Sequence, residues 1–221
     1  MNFIMKSAIA SIALSIAALV LLSGTALSLS TTHIATDAEM LLLLSDTIFV
    51  AEGRIGDRGG AATFELDLGH DTSNPATTAQ YAWQSGRLEP FTLSYNNVTG
   101  VITFTLGGVS LYYTTPFNQV GDIFVRTRAI DAGKSVSVYD LVLDGQSVGD
   151  ASVANGADGL DILWISGGTL VDGFTLTGTA VLSWTGTAPT QSRLAFQIKV
   201  ARLRVIGIED NTWGGIKALF Q

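Results

Sequence analysis

Two imidazoles, His33 and His70, are the residues of this chain that could take a proton from a serine or threonine hydroxyl. His33 lies near the start of the mature chain. His70 sits in DLGHDTSNP, a loop between two strand-like runs, so a Ser-His-Asp arrangement would have to be built around it. No H-E-x-x-H accompanies either residue, and with Cys 0 there is no thiol nucleophile, disulfide or thiolate zinc site. Asp and Glu number 19 together, too many for counting to single out a pair for glycoside hydrolysis. The expectation is therefore a protein that is not an enzyme.

The same loop gathers hard oxygen donors. Asp67, Asp71 and Asn74, with Asp57 nearby, are the candidate ligands for a structural Ca²⁺, although the D-x-D-x-D-G spacing is missing and acidic residues in such loops also serve as turn formers. No other cofactor is implied. Aromatic residues supply the remaining chemistry, because flat rings on a β-sheet can stack on sugar faces. Trp83, which shares a parity with Tyr81, and Trp164 are the glycan-stacking candidates; the competing reading places them in the core. Arg126 and Arg128 fall on the polar parity of IFVRTRA and are expected to pair with acids such as Asp140 or Asp144. Asn97-Val98-Thr99 fits a glycosylation sequon too short to carry weight.

The elements that would position these side chains are strands. Gly 24, with 14% charged residues, favours strand and turn over helix. The clearest periodicity lies in residues 174–200, FTLTGTAVLSWTGTAPTQSRLAFQIKV. Phe174, Leu176, Ala180, Leu182 and Trp184 share one parity with a gap at Gly178, and threonines occupy most of the other. Leu194, Phe196, Ile198 and Val200 repeat the pattern after GTAPTQS, which predicts a long β-hairpin. The apolar parity then shifts to Ala201, Leu203 and Val205, so a bulge or strand end is expected near Val200 and Ala201. Further strands are expected at 47–55, 62–68, 79–84, 91–96, 101–106, 110–114, 122–130, 135–143 and 160–165. Tight connections fall at 95–100 and at Gly107-Gly108, and a loop at 155–159. The fold class is all-β, an antiparallel β-sandwich or jelly-roll-like domain spanning 47–205.

Residues 1–28 read as a secretory signal peptide: Lys6, an apolar run over 8–22, and small residues ending at Ala26-Leu27-Ser28. Kept uncleaved, this helix would be a membrane anchor and the chain's contact with a membrane. Residues 29–46 carry the run Met40–Leu44, read as a short helix or first strand on the sandwich, or alternatively as a strand donated to a second copy. Residues 206–221 place Trp213, Ile216 and Phe220 at helical spacing. Net charge is -7 without acidic clusters, which disfavours nucleic acid as a partner.

Several blocks together resemble the choice-of-anchor W domain of secreted bacterial proteins, especially cyanobacterial ones. They are EGRIGDRGGAATFELDLG, TAQYAWQSGRLEPFTLSYN, GVITFTLGG, IFVRTRA, DLVLDGQSVGD and the 174–200 stretch. The resemblance covers about residues 52–200. It implies a β-rich extracellular domain of unassigned function, with no catalytic residues to carry over. Bearers of that domain often end in a Pro-Glu-Pro sorting tail, a motif that residues 206–221 lack. The functional expectation is a secreted or cell-surface structural or adhesive protein whose partners are copies of itself or extracellular polysaccharide. A donor-strand filament subunit and a carbohydrate-binding module are the alternatives.

Overall fold

The computed structural model describes residues 28–44, 46–56, 64–168 and 170–202. The signal segment, Asp57, and the helical spacing in 206–221 lie outside the described residues.

Two antiparallel sheets face each other. Sheet A has the order β1-β12-β8-β14-β2-β3-β4, built from β1 (Ser30–Ile34), β12 (Gly159–Ser166), β8 (Val120–Ala129), β14 (Leu194–Arg202), β2 (Thr47–Arg54), β3 (Leu66–Gly69) and β4 (Thr77–Ala79). Sheet B has the order β10-β9-β13-β5-β6-β7: β10 (Gln146–Ser147), β9 (Lys134–Leu143), β13 (Phe174–Trp184), β5 (Glu89–Tyr95), β6 (Val101–Leu106) and β7 (Val109–Thr114), with β11 (Ser152–Asn155) pairing β9. This is the all-β sandwich that the alternation of apolar and polar residues predicts. The inward parities, among them Phe49, Leu93, Phe104, Val125, Leu182 and Phe196, form one continuous core between the sheets. Rings cross the interface: Phe49 stacks on Phe174 at 6.3 Å, and Phe91 meets Phe196 at 6.2 Å.

The 174–200 stretch is not a hairpin. Its arms enter different sheets, β13 pairing β5 and β9 while β14 pairs β2 and β8. Alternation records which face of a strand is buried and is silent on the partner strand, so an arch between sheets and a hairpin within one look alike. The expected irregularity is present, as register shifts at Val200/Ala201 against β2 and at Ala201/Arg202 against β8. Gly178 has its reason too. A β-carbon there would stand 2.8 Å from the Phe91 ring and 2.9 Å from a Leu141 methyl, and the register against β9 slips between Thr177 and Thr179. At the β6–β7 turn, Gly107 and Gly108 take φ of 54° and 84°, as a two-residue hairpin loop requires.

The Met40–Leu44 run begins inside α1 (Asp37–Leu43), whose N-terminus is closed by a reciprocal capping box between Thr36 and Glu39. Met40 is buried on the outer face of sheet A against Ile34, Phe124, Ile162 and Ala201, a second small core. Donation of this run as a strand would therefore require α1 to unwind and Met40 to leave its site. Residues 80–84, expected in a strand, follow the end of β4 without regular structure. Arg126 and Arg128 do pair with acids, but with different ones. Arg126 grips Asp37 of α1 through two bonds of 2.6 and 2.7 Å, and Arg128 reaches Asp158. Asp140 and Asp144 belong to the β9 end of the other sheet, out of reach of the outer face of β8.

Candidate functional site

Chemistry separates three surface depressions of similar size. One, of about 510 Å³, is lined by Asn96, Asn97, Asp144 and Asp172 among others; another, of about 380 Å³, by Tyr139, Asp140 and Asp150 among others. The third, of about 470 Å³, is lined by Ile55, Glu65, Tyr81, Ala82, Trp83, Trp184 and Ala188, three of them aromatic. It opens where β2 and β13 end and β3 begins, on the side of the β13–β14 arch.

Ring contacts hold Tyr81 and Trp83, and main-chain bonds place Trp184. Trp83 donates its indole N–H to the Arg54 carbonyl at 3.0 Å and meets Phe196 edge-on at 6.4 Å. Gly53 makes that packing possible, since a β-carbon there would come within 2.4 Å of the Phe196 ring and 3.1 Å of the indole. Tyr81 stands edge-on to Trp83 at 4.9 Å and lies over the Gly107 turn of sheet B. Its hydroxyl accepts from Arg87, which also pairs with the buried Glu89, and burial followed by Glu89 pushes the phenol above its ordinary range. Trp184 ends β13. Ser85 accepts from its amide at 2.8 Å and donates to its carbonyl at 2.6 Å, satisfying both main-chain groups past the last regular rung. Tyr81, Trp83 and Trp184 are each half-buried, packed against the main core and still partly exposed.

Of the two expected stacking residues, only Trp83 belongs to this cleft. Trp164 is on the outer face of sheet A, stacked on Phe124 at 6.0 Å and 8° with its N–H on Asp122, at the margin of the small core under α1. Trp184 shares the apolar parity of β13, and its place at the strand's very end is the signal that it could leave the core. Tyr81 and Trp83 converge without the strand that their parity suggested.

The calcium candidates separate. Asp67 is buried in β3 beside Arg54, 3.1 Å away. Asp71 spends one oxygen on the amides of Ser73 and Asn74 and the Ser73 hydroxyl, a turn-forming pattern that lowers its pKa through Ser73 first. Asn74 contributes its main-chain amide to that turn. Among the described residues no group of three or more His, Asp or Glu is placed to hold a metal ion.

The imidazoles are engaged elsewhere. His70 faces the Ile48 carbonyl at 3.3 Å and packs on Phe117 at 5.5 Å. His33 has a carboxylate on each nitrogen: Asp161 at 2.7 Å from Nδ1 and Asp150 at 3.2 Å from Nε2. A triad needs one ring nitrogen on a hydroxyl, and His33 has neither to spare.

Fold and cleft together define an all-β sandwich protein with an aromatic-lined depression at one end. No protein-family model matches the chain, and no curated protein matches it.

Proposed function

We propose that this is a non-enzymatic, secreted or cell-surface β-sandwich protein with an adhesive role, which holds extracellular polysaccharide through the cleft of Tyr81, Trp83 and Trp184. The observation that carries the reading is that three half-buried aromatic residues line one cleft of a size suited to one or two sugar rings. Stacking on neutral sugar faces requires no titrating group, which agrees with imidazoles committed to carboxylates and main chain. The leader-like residues 1–28 and the resemblance to choice-of-anchor W proteins support placement outside the cytoplasm. Attachment by a retained N-terminal helix and release into the medium are both compatible with the leader.

Affinity electrophoresis against a panel of neutral and acidic polysaccharides, paired with a glycan array, tests the reading. Binding to at least one glycan is expected, with Trp184→Ala weakening it tenfold or more while far-UV circular dichroism stays unchanged. Absence of binding across the panel, or full binding by a folded Trp184→Ala, Tyr81→Ala double variant, removes the cleft as the contact. Recovery of the protein from cytosol with its leader intact would overturn the placement.

A further inference from the structure

We propose that His33 is a pH-sensitive latch that fastens the edge strand β1 to the rest of the sandwich. Among the described residues β1 is paired on one side alone, with β12, in the register Ser30↔Ser166 through Ile34↔Ile162. Ile34 is its buried side chain; Ser30, Thr32 and His33 are exposed and Thr31 half-buried. A five-residue edge strand with so little apolar anchoring depends on what its polar side chains can grip.

His33 grips from both ends of its ring. Nδ1 faces Asp161 of β12, and Nε2 faces Asp150 in the loop between β10 and β11. A neutral imidazole carries one N–H, so only the imidazolium can donate to both carboxylates at once; the neutral ring sets a lone pair against one of them. Both acceptors are fixed independently of the histidine. Asp161 also receives the Val153 amide at 2.9 Å, and Asp150 the Ala151 amide at 2.8 Å. The latch therefore ties β1 to β12 within sheet A and to the β10–β11 loop of sheet B.

Among the described residues no other charge competes for the ring. On α1, which follows β1, Asp37 is held by Arg126, and Glu39 folds back onto the amides of Ala35 and Thr36. On β8, beyond β12, Arg128 is turned to Asp158. The hydrogen bond to Asp161, opposed by partial burial and joined by Asp150, raises the His33 pKa above its ordinary 6.5. The sign follows: the latch's stabilisation is fully present below the unfolded value and is lost as pH rises through the higher folded one. Above that range the outer residues of β1 loosen and the edge of β12 is uncovered. The two carboxylates sit on opposite ring nitrogens, so the cluster cannot close on a metal ion.

Two measurements on the full chain test this. Side-chain ¹H–¹⁵N spectra should show both N–H groups of His33 at pH 5.5 and a titration midpoint above 6.5. Amide exchange by mass spectrometry, corrected for intrinsic rates, should show protection of residues 30–34 falling several-fold more than that of β14 between pH 5.5 and 8. His33→Gln, and separately Asp150→Asn with Asp161→Asn, should abolish that difference. A midpoint at or below 6.5, equal protection of β1 at both pH values, or an unchanged pH response in His33→Gln would overturn the latch.

Discussion

Glu52 and Asp67 oppose each other across β2 and β3, each almost completely buried, with one guanidinium between them: Arg54 lies 3.2 Å from Glu52 and 3.1 Å from Asp67. Gln197 donates to the other Glu52 oxygen at 3.2 Å, while neither Asp67 oxygen receives an aligned hydrogen bond. One positive charge cannot compensate two buried carboxylates. Burial first, and then the charge of Glu52, push Asp67 up to about 8 against the downward pull of Arg54. The folded protein thus holds a proton that the unfolded chain releases near 3.8, and stability falls as pH rises between those values. Asp67→Asn keeps the shape and removes that proton uptake. Thermal melts should show a flatter pH profile and a midpoint raised by roughly 3–6 °C at pH 8, a gain of one or two kcal/mol for a chain this size. A lower midpoint at pH 8 would mean that the Arg54 contact outweighs the like-charge pair. The sequence offers Asp67 twice, at the end of a strand expected over 62–68 and as an oxygen donor of the loop that follows. Its inward-facing neighbours Leu66 and Leu68 carry the strand, but the pairing with Glu52 depends on a register that one sequence does not display.

α1 shows how a short element survives on its ends and one buried side chain. Seven residues are too few for a helix to persist on propensity. The Thr36–Glu39 capping box, the Asp37–Arg126 clamp and Met40 under the helix supply what propensity lacks. Arg126 also lowers the Asp37 pKa, chiefly by hydrogen bonding. Thr36→Ala should cost about 1 kcal/mol and Met40→Ala about 2–5 kcal/mol, both read from urea unfolding; equal costs would mean that the helix contributes capping without packing. Elements with strong alternation were legible: β2, β5, β6, β8, β9, β12, β13 and β14 fall within a few residues of their expected ranges. β1, β10 and β11 were not, because STTHI, QS and SVAN are short, mostly polar, and shaped by the strand they join. The run Met40–Leu44 left helix and strand open, since five consecutive apolar residues suit either period until a partner face is present.

At the scale of the molecule, side closures hold two open sheets together. Thr77 donates to the Tyr112 carbonyl at 2.7 Å between β4 and β7. On the opposite side β11 leaves sheet B to reach sheet A, its Ser152 hydroxyl meeting Thr127 at 3.0 Å and its Val153 amide meeting Asp161. The strand set was readable from alternation, whereas the route between sheets was not: the arch from β13 to β14 is fixed by which neighbours each arm finds, contacts far apart in the chain. That arch places β13 in the middle of sheet B and β14 in the middle of sheet A, so neither sheet is complete without the other half of the same stretch. A continuous core and interleaved connectivity argue for one cooperative unit. Tryptophans report on both of its faces, Trp83 and Trp184 at the cleft and Trp164 beneath α1. A chain retaining only Trp164, made with Trp83→Phe, Trp184→Phe and Trp213→Phe, is to be compared with one retaining Trp83 and Trp184, made with Trp164→Phe and Trp213→Phe. For each chain, the fluorescence midpoint in urea should coincide with that from far-UV circular dichroism, with the same slope. An earlier transition from Trp164 would identify the small outer core as a unit that melts on its own and confine the cooperative fold to the space between the sheets.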